Sequence, residues 1–259
     1  MLKKKSIKID IILPNYNSDK FIKETLESIL NQSFKNWRLI IVDDNSNLRN
    51  KRILNKYSKN PKIKIIFLKK NRGAGFCRNV AIKYVKADYV AFIDADDVWY
   101  KSKLSDQLKF MLKNNFDFTY TNFLTFKTDN NLSKKHNNLN LIKPPKQFNF
   151  NTFVRNTSIA TCTMLINKEL IKSVKFPNTN ICEDYYFKCK ILKKINYAHC
   201  LNKTLSKYRI RPDSLQSKKL RNLSWIWYIN KHYNKFNFYE NLISLLCISA
   251  NSIKKYGFK

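Results

Sequence analysis

The 259-residue chain carries 50 Lys and Arg against 18 Asp and Glu, a formal charge of +32, with 44% hydrophobic and 14% aromatic residues. That apolar content supports a folded core and excludes a disordered chain, and no apolar run reaches the roughly 20 residues of a membrane span. The positive charge fits nucleic-acid binding, attraction to anionic membranes or anionic small substrates, or drift in a Lys-, Asn- and Ile-rich chain; its even spread, with no basic tail, makes nucleic acid the weakest of the three. The six cysteines form no CxxC pair, and the Cys182 to Cys189 spacing matches no common zinc pattern, so free thiols in a reducing cytosol are expected. Lys3-Lys4-Lys5 is followed by alternating Ile and charge, which does not read as a signal peptide. The localisation these features imply is cytoplasmic, with peripheral contact on the inner face of the membrane.

In chain order, Ile7 to Leu13 reads as a strand ended by Pro14, followed by the polar turn Asn15-Tyr16-Asn17-Ser18-Asp19. Phe21, Ile22, Leu26, Ile29 and Leu30 recur at helical spacing. Trp37 to Val42 is a second strand, ending in Asp43-Asp44-Asn45-Ser46; a helix with Ile53, Leu54 and Tyr57 inward leads to a third strand, Ile63 to Leu68. A short helix over Gly75 to Val85 precedes a fourth strand, Tyr89 to Ile93, which ends in Asp94-Ala95-Asp96-Asp97. This alternation is that of a parallel βαβ sheet, an α/β fold, whose strands end on one edge. Asn15, Asp43, Asp44, Asp94 and Asp96 therefore gather there, with Asp94 and Asp96 on one side if the backbone stays extended.

With only Gly73, Gly75 and Gly257, the chain has neither a GxGxxG nor a phosphate-loop glycine pattern. A divalent cation held by carboxylates is the physical alternative for a diphosphate. Beyond Asp97, Val98-Trp99-Tyr100 leads into a helix with Leu104, Leu108, Met111 and Leu112 on one face, and Phe116 to Phe126 reads as a strand. Lys127 to Phe150, Asn- and Lys-rich with Pro144-Pro145, reads as a long surface loop. Ile159 to Ile166 is expected as a strand, Lys168 to Val174 as a short helix, and Glu183-Asp184 as the start of another helix. Tyr197 to Tyr208 holds one or two short strands before the basic turn Arg209 to Ser214. Two helices follow, one with Trp225 and Trp227 beside Lys218, Lys219 and Arg221, the other with Phe238, Leu242, Leu245, Leu246 and Ser249. They read as packing on the domain or as membrane-interface elements.

With these residues in view, the chain resembles the family 2 glycosyltransferases from about Ile7 to Ser214. The motifs are Ile-Ile-Leu-Pro-Asn-Tyr-Asn at 11–17, Ile41-Val42-Asp43-Asp44-Asn45-Ser46, Asn71-Arg72-Gly73 with Arg78-Asn79, Asp94-Ala95-Asp96-Asp97, Glu183-Asp184, and Tyr208-Arg209-Ile210-Arg211 with Ser214. Cys77 replaces the small residue usual before that Arg-Asn. The resemblance implies a GT-A type, Rossmann-like, mostly parallel sheet: a catalytic domain over 1–214, with nucleotide half 1–97 and acceptor half 98–214, and a helical extension over 215–259.

By the same resemblance, Pro14, Asn15, Tyr16, Asp43, Asp44, Arg78, Asp94, Ala95 and Arg211 bind the nucleotide sugar, Asp44 more than Asp43 meeting the base. Asp94, Asp96 and Asp97 face Mn2+ or Mg2+, Asp184 is the general base, and Glu183 and Trp99 lie on the acceptor side. The reaction implied is inverting, metal-dependent hexosyl transfer from a nucleotide-diphosphate sugar, UDP favoured, to a surface glycan or lipid-linked oligosaccharide, with no nucleic-acid partner. Nucleotidyl transfer on the same fold, and a basic nucleic-acid-binding protein, stand as alternatives.

Overall fold

A computed structural model describes residues 6–128, 136–179, 181–211 and 219–256. The first half is a regular alternation: β1 (Ile9–Asn15), α1 (Ile22–Leu30), β2 (Trp37–Asp43), α2 (Leu48–Asn55), β3 (Ile63–Phe67), α3 (Ala74–Ile82) and β4 (Tyr89–Phe92). Next come β5 (Val98–Trp99), α4 (Lys103–Lys113), β6 (Phe118–Thr128), β7 (His136–Ile142), β8 (Gln147–Phe148) and α5 (Phe150–Phe153). After a 3-10 turn at Thr161–Thr163, the chain continues through β9 (Leu165–Asn167), α6 (Lys168–Ile171), α7 (Glu183–Leu192) and β10 (Ala198–Arg209). It closes with α8 (Lys219–Ile229), a π turn at Asn230–Asn234 and α9 (Phe238–Tyr256).

One sheet runs through both halves in the order β3-β2-β1-β4-β9-β6-β10-β5, with β7 beside β6 and β8 beside β10. It is parallel from β3 to β4, as the alternation requires, and mixed beyond, where β9 pairs antiparallel with both β4 and β6. Every β1 residue is buried because helices cover both faces, which explains why its apolar run does not alternate with polar residues. On one face Ile11, Leu13, Leu39 and Ile41 pack with Leu26 of α1, Leu54 of α2 and Leu108 of α4. On the other, Ile12, Ile40, Val42 and Phe92 pack with Cys77 of α3, Phe187 of α7 and Ile229 of α8. The C-terminal helices thus share the core of the sheet. The boundary expected between 214 and 215 lies outside the described residues.

Three local expectations are corrected. The stretch read as a surface loop, 127–150, contains β7, β8 and the start of α5. His136-Asn137-Asn138-Leu139-Asn140 hides a strand because Asn is poor in sheets, and pairing with β6 overrides that weak preference. Ile159 to Ile166 is not one strand: only its end pairs, and Thr161–Thr163 turns, since a short buried apolar run does not distinguish extended from coiled backbone. Asp94 and Asp96 do not lie on extended backbone; Asp97 N donates to Asp94 O at 3.1 Å and closes a turn at the strand end.

Candidate active site

The register of the parallel strands levels their ends, with Asn15 opposite Asp43 and Ile12 opposite Phe92. The acidic turn after β2 is held by its own neighbours. Asp43 accepts from Asn15 Nδ2 at 2.7 Å and from Ser46 N at 3.0 Å, and is fully buried. Asp44 accepts from Arg72 N and Gly73 N, both at 2.7 Å, and so clamps the loop that enters α3. Gly73 has φ +86, a conformation that a side chain would strain, and Asn45 takes the left-handed region at φ 60. Tyr16 is 53% exposed at this edge, while Pro14, Asn15 and Ala95 are buried beneath it.

The Asp94–Asp97 turn is gripped from behind. Thr25 Oγ1 lies 3.1 Å from Ala95 O and 2.8 Å from Asp97 O, and Arg209 Nε donates to Asp96 O at 2.8 Å. Arg209 N donates to Asp97 Oδ1 at 3.0 Å, and Arg209 Nη2 is fixed by Glu24 Oε2 at 2.6 Å. Arg209 also lies between the rings of Phe21 and Phe126, at 4.7 and 4.3 Å. Thr25 and Arg209 therefore hold the main chain of the turn, leaving the Asp94 and Asp96 side chains, 31% and 18% exposed, at its surface.

Each of these two carboxylates has an arginine beside it. Asp94 Oδ1 pairs with Arg78 Nη2 at 2.6 Å, and Asp96 Oδ2 with Arg211 Nε at 2.9 Å. Burial pushes the Asp96 carboxyl up, Arg211 opposes that, and Asp94 adds to it. Asp97 differs: its side chain is buried, and burial followed by the charges of Asp96 and Asp94 holds it well above the usual carboxylate range. Among the described residues no cluster of three or more His, Cys, Asp or Glu forms a ready cage for a metal. Two accessible carboxylates on a fixed turn fit a cation that completes its shell with substrate phosphate and water, as Mg2+ commonly does. Asp97 points away from that role, toward Arg209 N and Cys162.

Arg78 links the two halves of the site. It is 4% exposed, donates Nη2 to Asp94 and Nη1 to Glu183 Oε1, the latter at 2.6 Å, and lies over the Phe176 ring. Burial alone would lower its pKa; Asp94 and Glu183 more than reverse that. Gly75 makes the crossing possible: a Cβ there would stand 2.9 Å from Glu183 Cγ and 3.3 Å from Pro177 O.

Asp184 sits in the first turn of α7, where the helix dipole favours negative charge. Its Oδ2 accepts from Lys188 Nζ at 2.7 Å and from Thr161 Oγ1 at 2.9 Å. Burial pushes the carboxyl up, but Lys188, then Arg78 and Thr161, outweigh it and hold it at about 2. Cys182, just before the pair, is left-handed at φ 59, an uncommon state for a non-glycine residue.

The expected site residues of both halves thus converge, with Trp99 the exception on the acceptor side. It is 3% exposed, donates Nε1 to Cys162 O at 2.7 Å, and packs under Lys103 Nζ, so it supports the site from within. Sequence reading missed Thr25, Glu24, Thr161 and Lys188 as site residues, and gave Arg209 only as part of the basic turn. Of these only Lys188, four residues after Asp184 on a helix, left a spacing signal.

This fold is that of a GT-A type transferase. The chain belongs to Glycosyl transferase family 2, whose family model matches residues 10–174. It is 30% identical over 256 residues to the Escherichia coli UDP-Glc:alpha-D-GlcNAc-diphosphoundecaprenol beta-1,3-glucosyltransferase WfgD, covering 96% of this chain and 95% of WfgD. Among solved structures, Staphylococcus aureus TarS 1-349 in complex with UDP-GlcNAc superposes with a TM-score of 0.71 at 21% identity, over 96% of this chain and 73% of that one. The Pyrobaculum calidifontis mannosyltransferase PcManGT in complex with GDP-Man and Mn2+ gives 0.67 at 14% identity, over 94% and 74%. The protein is a glycosyltransferase, and the nucleotidyl-transfer reading finds no support in this family match.

Proposed function

We propose that this enzyme transfers a hexose, with inversion, from a UDP-sugar to a hydroxyl of a lipid-linked oligosaccharide or surface-glycan precursor. The observation that carries the reading is Arg78, which joins the Asp94–Asp97 turn to the Glu183-Asp184 pair and so sets a candidate diphosphate seat beside a candidate base. WfgD, alike over nearly the full length of both chains, is named for UDP-Glc, an α-linked donor, and for a β-1,3 product, which is inversion.

In this reading the edge formed by Pro14, Asn15, Tyr16, Asp43 and Asp44 receives the nucleotide. Because Asp43 and Asp44 already accept backbone and amide donors, they act by holding their loops in shape as much as by meeting the base. Asp94 and Asp96 would hold Mn2+ or Mg2+, and such an ion would offset the charge of the departing diphosphate. Arg78 and Arg211, now paired with those carboxylates, are placed to turn toward the phosphates.

Asp184 takes the proton of the acceptor hydroxyl as its oxygen bonds to the anomeric carbon; the bond from that carbon to the diphosphate breaks on the opposite face. Both partners of Asp184 act on Oδ2, so Oδ1 is the oxygen offered to the acceptor. A carboxyl held at about 2 is a weak base. Donor phosphates drawing on Arg78 would raise it, tying base strength to donor binding. Glu183 keeps Arg78 in place on the acceptor side.

The test is a panel of nucleotide sugars with Mn2+ and a synthetic polyprenyl-diphosphate-linked acceptor, scored by product mass and anomeric configuration. A β-linked product from an α-linked UDP-sugar is expected. Retained configuration, or nucleotide transferred in place of sugar, would reject the proposal.

A further inference from the structure

α9 turns Ile248 to the core with Asn241 and Ser244, and leaves a broad apolar face outside. Its buried face sets amides and a hydroxyl beside the core residue Ile248: Asn241 Nδ2 donates to Trp227 O at 3.0 Å, Asn230 Nδ2 reaches Asn241 Oδ1 and Ser244 Oγ at 3.2 and 3.1 Å, and Ser244 Oγ donates to Val154 O at 2.6 Å. Its outer face is apolar: Phe238 is 63% exposed, Tyr239 75%, Ile243 47% and Leu246 62%. These four lie along one side at helical spacing. Single exposed apolar residues need no explanation, but a contiguous row on a helix that buries its own amides does.

Charge decides what covers this face. Lys231, His232 and Lys235 stand exposed at the turn that leads into α9, on a chain of net +32. A second copy would bring the same cations against themselves. An anionic bilayer complements both parts at once, with apolar and aromatic side chains at the acyl boundary and lysines among the headgroups. No helix among the described residues is long and apolar enough to cross a membrane, so the contact is with the surface.

We infer that the outer face of α9, with the basic turn before it, docks the enzyme on an anionic lipid surface. The π turn and α8, to which α9 is tied through Asn230, are fixed to α7 and its N-cap: Tyr185 Oη donates to Asn230 Oδ1 at 2.7 Å, Tyr186 packs on Tyr233, and Cys182 Sγ lies 3.9 Å from Asn222 O. Docking therefore orients the helix whose first turn carries Asp184. This deepens the lipid-linked-acceptor reading and draws its purpose from it, but its evidence is independent of that reading.

Co-sedimentation with vesicles of phosphatidylglycerol and phosphatidylcholine tests the inference on the full chain. The wild type should pellet with these vesicles at low salt and not with pure phosphatidylcholine. The double variant Tyr239→Gln/Leu246→Gln, altered only at exposed positions, should bind at least about tenfold more weakly. Lys231→Gln/Lys235→Gln should flatten the salt dependence. Donor hydrolysis by both variants should match wild type, so a failed function and a failed docking surface are read separately. Wild type left in the supernatant, a Tyr239→Gln/Leu246→Gln variant that pellets unchanged, or a dimer in light scattering that the same variant dissolves would each overturn the inference.

Discussion

Glu24 and Arg209 meet at 2.6 Å although 185 residues separate them, and the arginine so fixed holds the main chain of the acidic turn at Asp96 O. The main chain that presents Asp94 and Asp96 is thus held by a pair from distant parts of the sequence. Replacing Glu24 by Gln keeps the shape and removes the charge that orients Arg209. Mn2+-dependent UDP binding, measured by calorimetry, should weaken about 10- to 100-fold, as for partners one shell behind a metal ligand, while the thermal midpoint moves little. Unchanged affinity would show that the turn holds itself.

Gly75→Ala tests the crossing of α3 and α7. The added methyl meets the Glu183 side chain and the Pro177 carbonyl, and the Arg78–Glu183 pair must shift. Overpacking of this kind costs about 1–3 kcal/mol, readable by denaturant titration. Transfer should fall further than stability, because Arg78 loses its place between donor and acceptor sides. Equal transfer at reduced stability would make the crossing structural only.

Lys103 is fully buried beneath the site and burial lowers it to about 7. Above that pH the folded chain carries it neutral while the unfolded chain still binds the proton, so stability rises with pH from about 7, by at most about 1.4 kcal/mol per pH unit. The rise should end near pH 8.5, where unfolded cysteines begin to ionise, since burial pushes Cys162, Cys77 and Cys189 up in the folded state. Lys103→Met should abolish the rise in urea titrations at pH 6.5, 7.5 and 8.5.

Lys188 is the main reason Asp184 stays at about 2 against burial. A carboxyl so depressed contributes stability above its unfolded value near 4, and loses it as pH falls toward 2. In Lys188→Gln the Asp184 carboxyl rises, so the acid limb of kcat/KM should move to higher pH while the basic limb stays. An unmoved acid limb would assign that limb to another group.

Much of the donor side was legible in the sequence because parallel strands buried on both faces write long apolar runs and deliver polar residues only at their ends, as at Asn15, Asp43 and Asp94. The acceptor side was harder to read. β7 is written in Asn and gains its strand from β6, and Thr161 reaches Asp184 only because the backbone turns inside an apolar run that reads as a strand. Arg209 looked like part of a basic surface turn; its 112-residue link to Asp97 is a property of the folded sheet alone.

Asp184→Asn tests the account most directly. The substitution keeps the shape of the first turn of α7 and removes the proton acceptor. Sugar transfer from UDP-sugar to the acceptor should fall by about 10²- to 10⁴-fold, while Mn2+-dependent UDP binding stays within about twofold of wild type, since the residue lies outside the diphosphate seat. Undiminished transfer by this variant, with binding equally intact, would contradict the account.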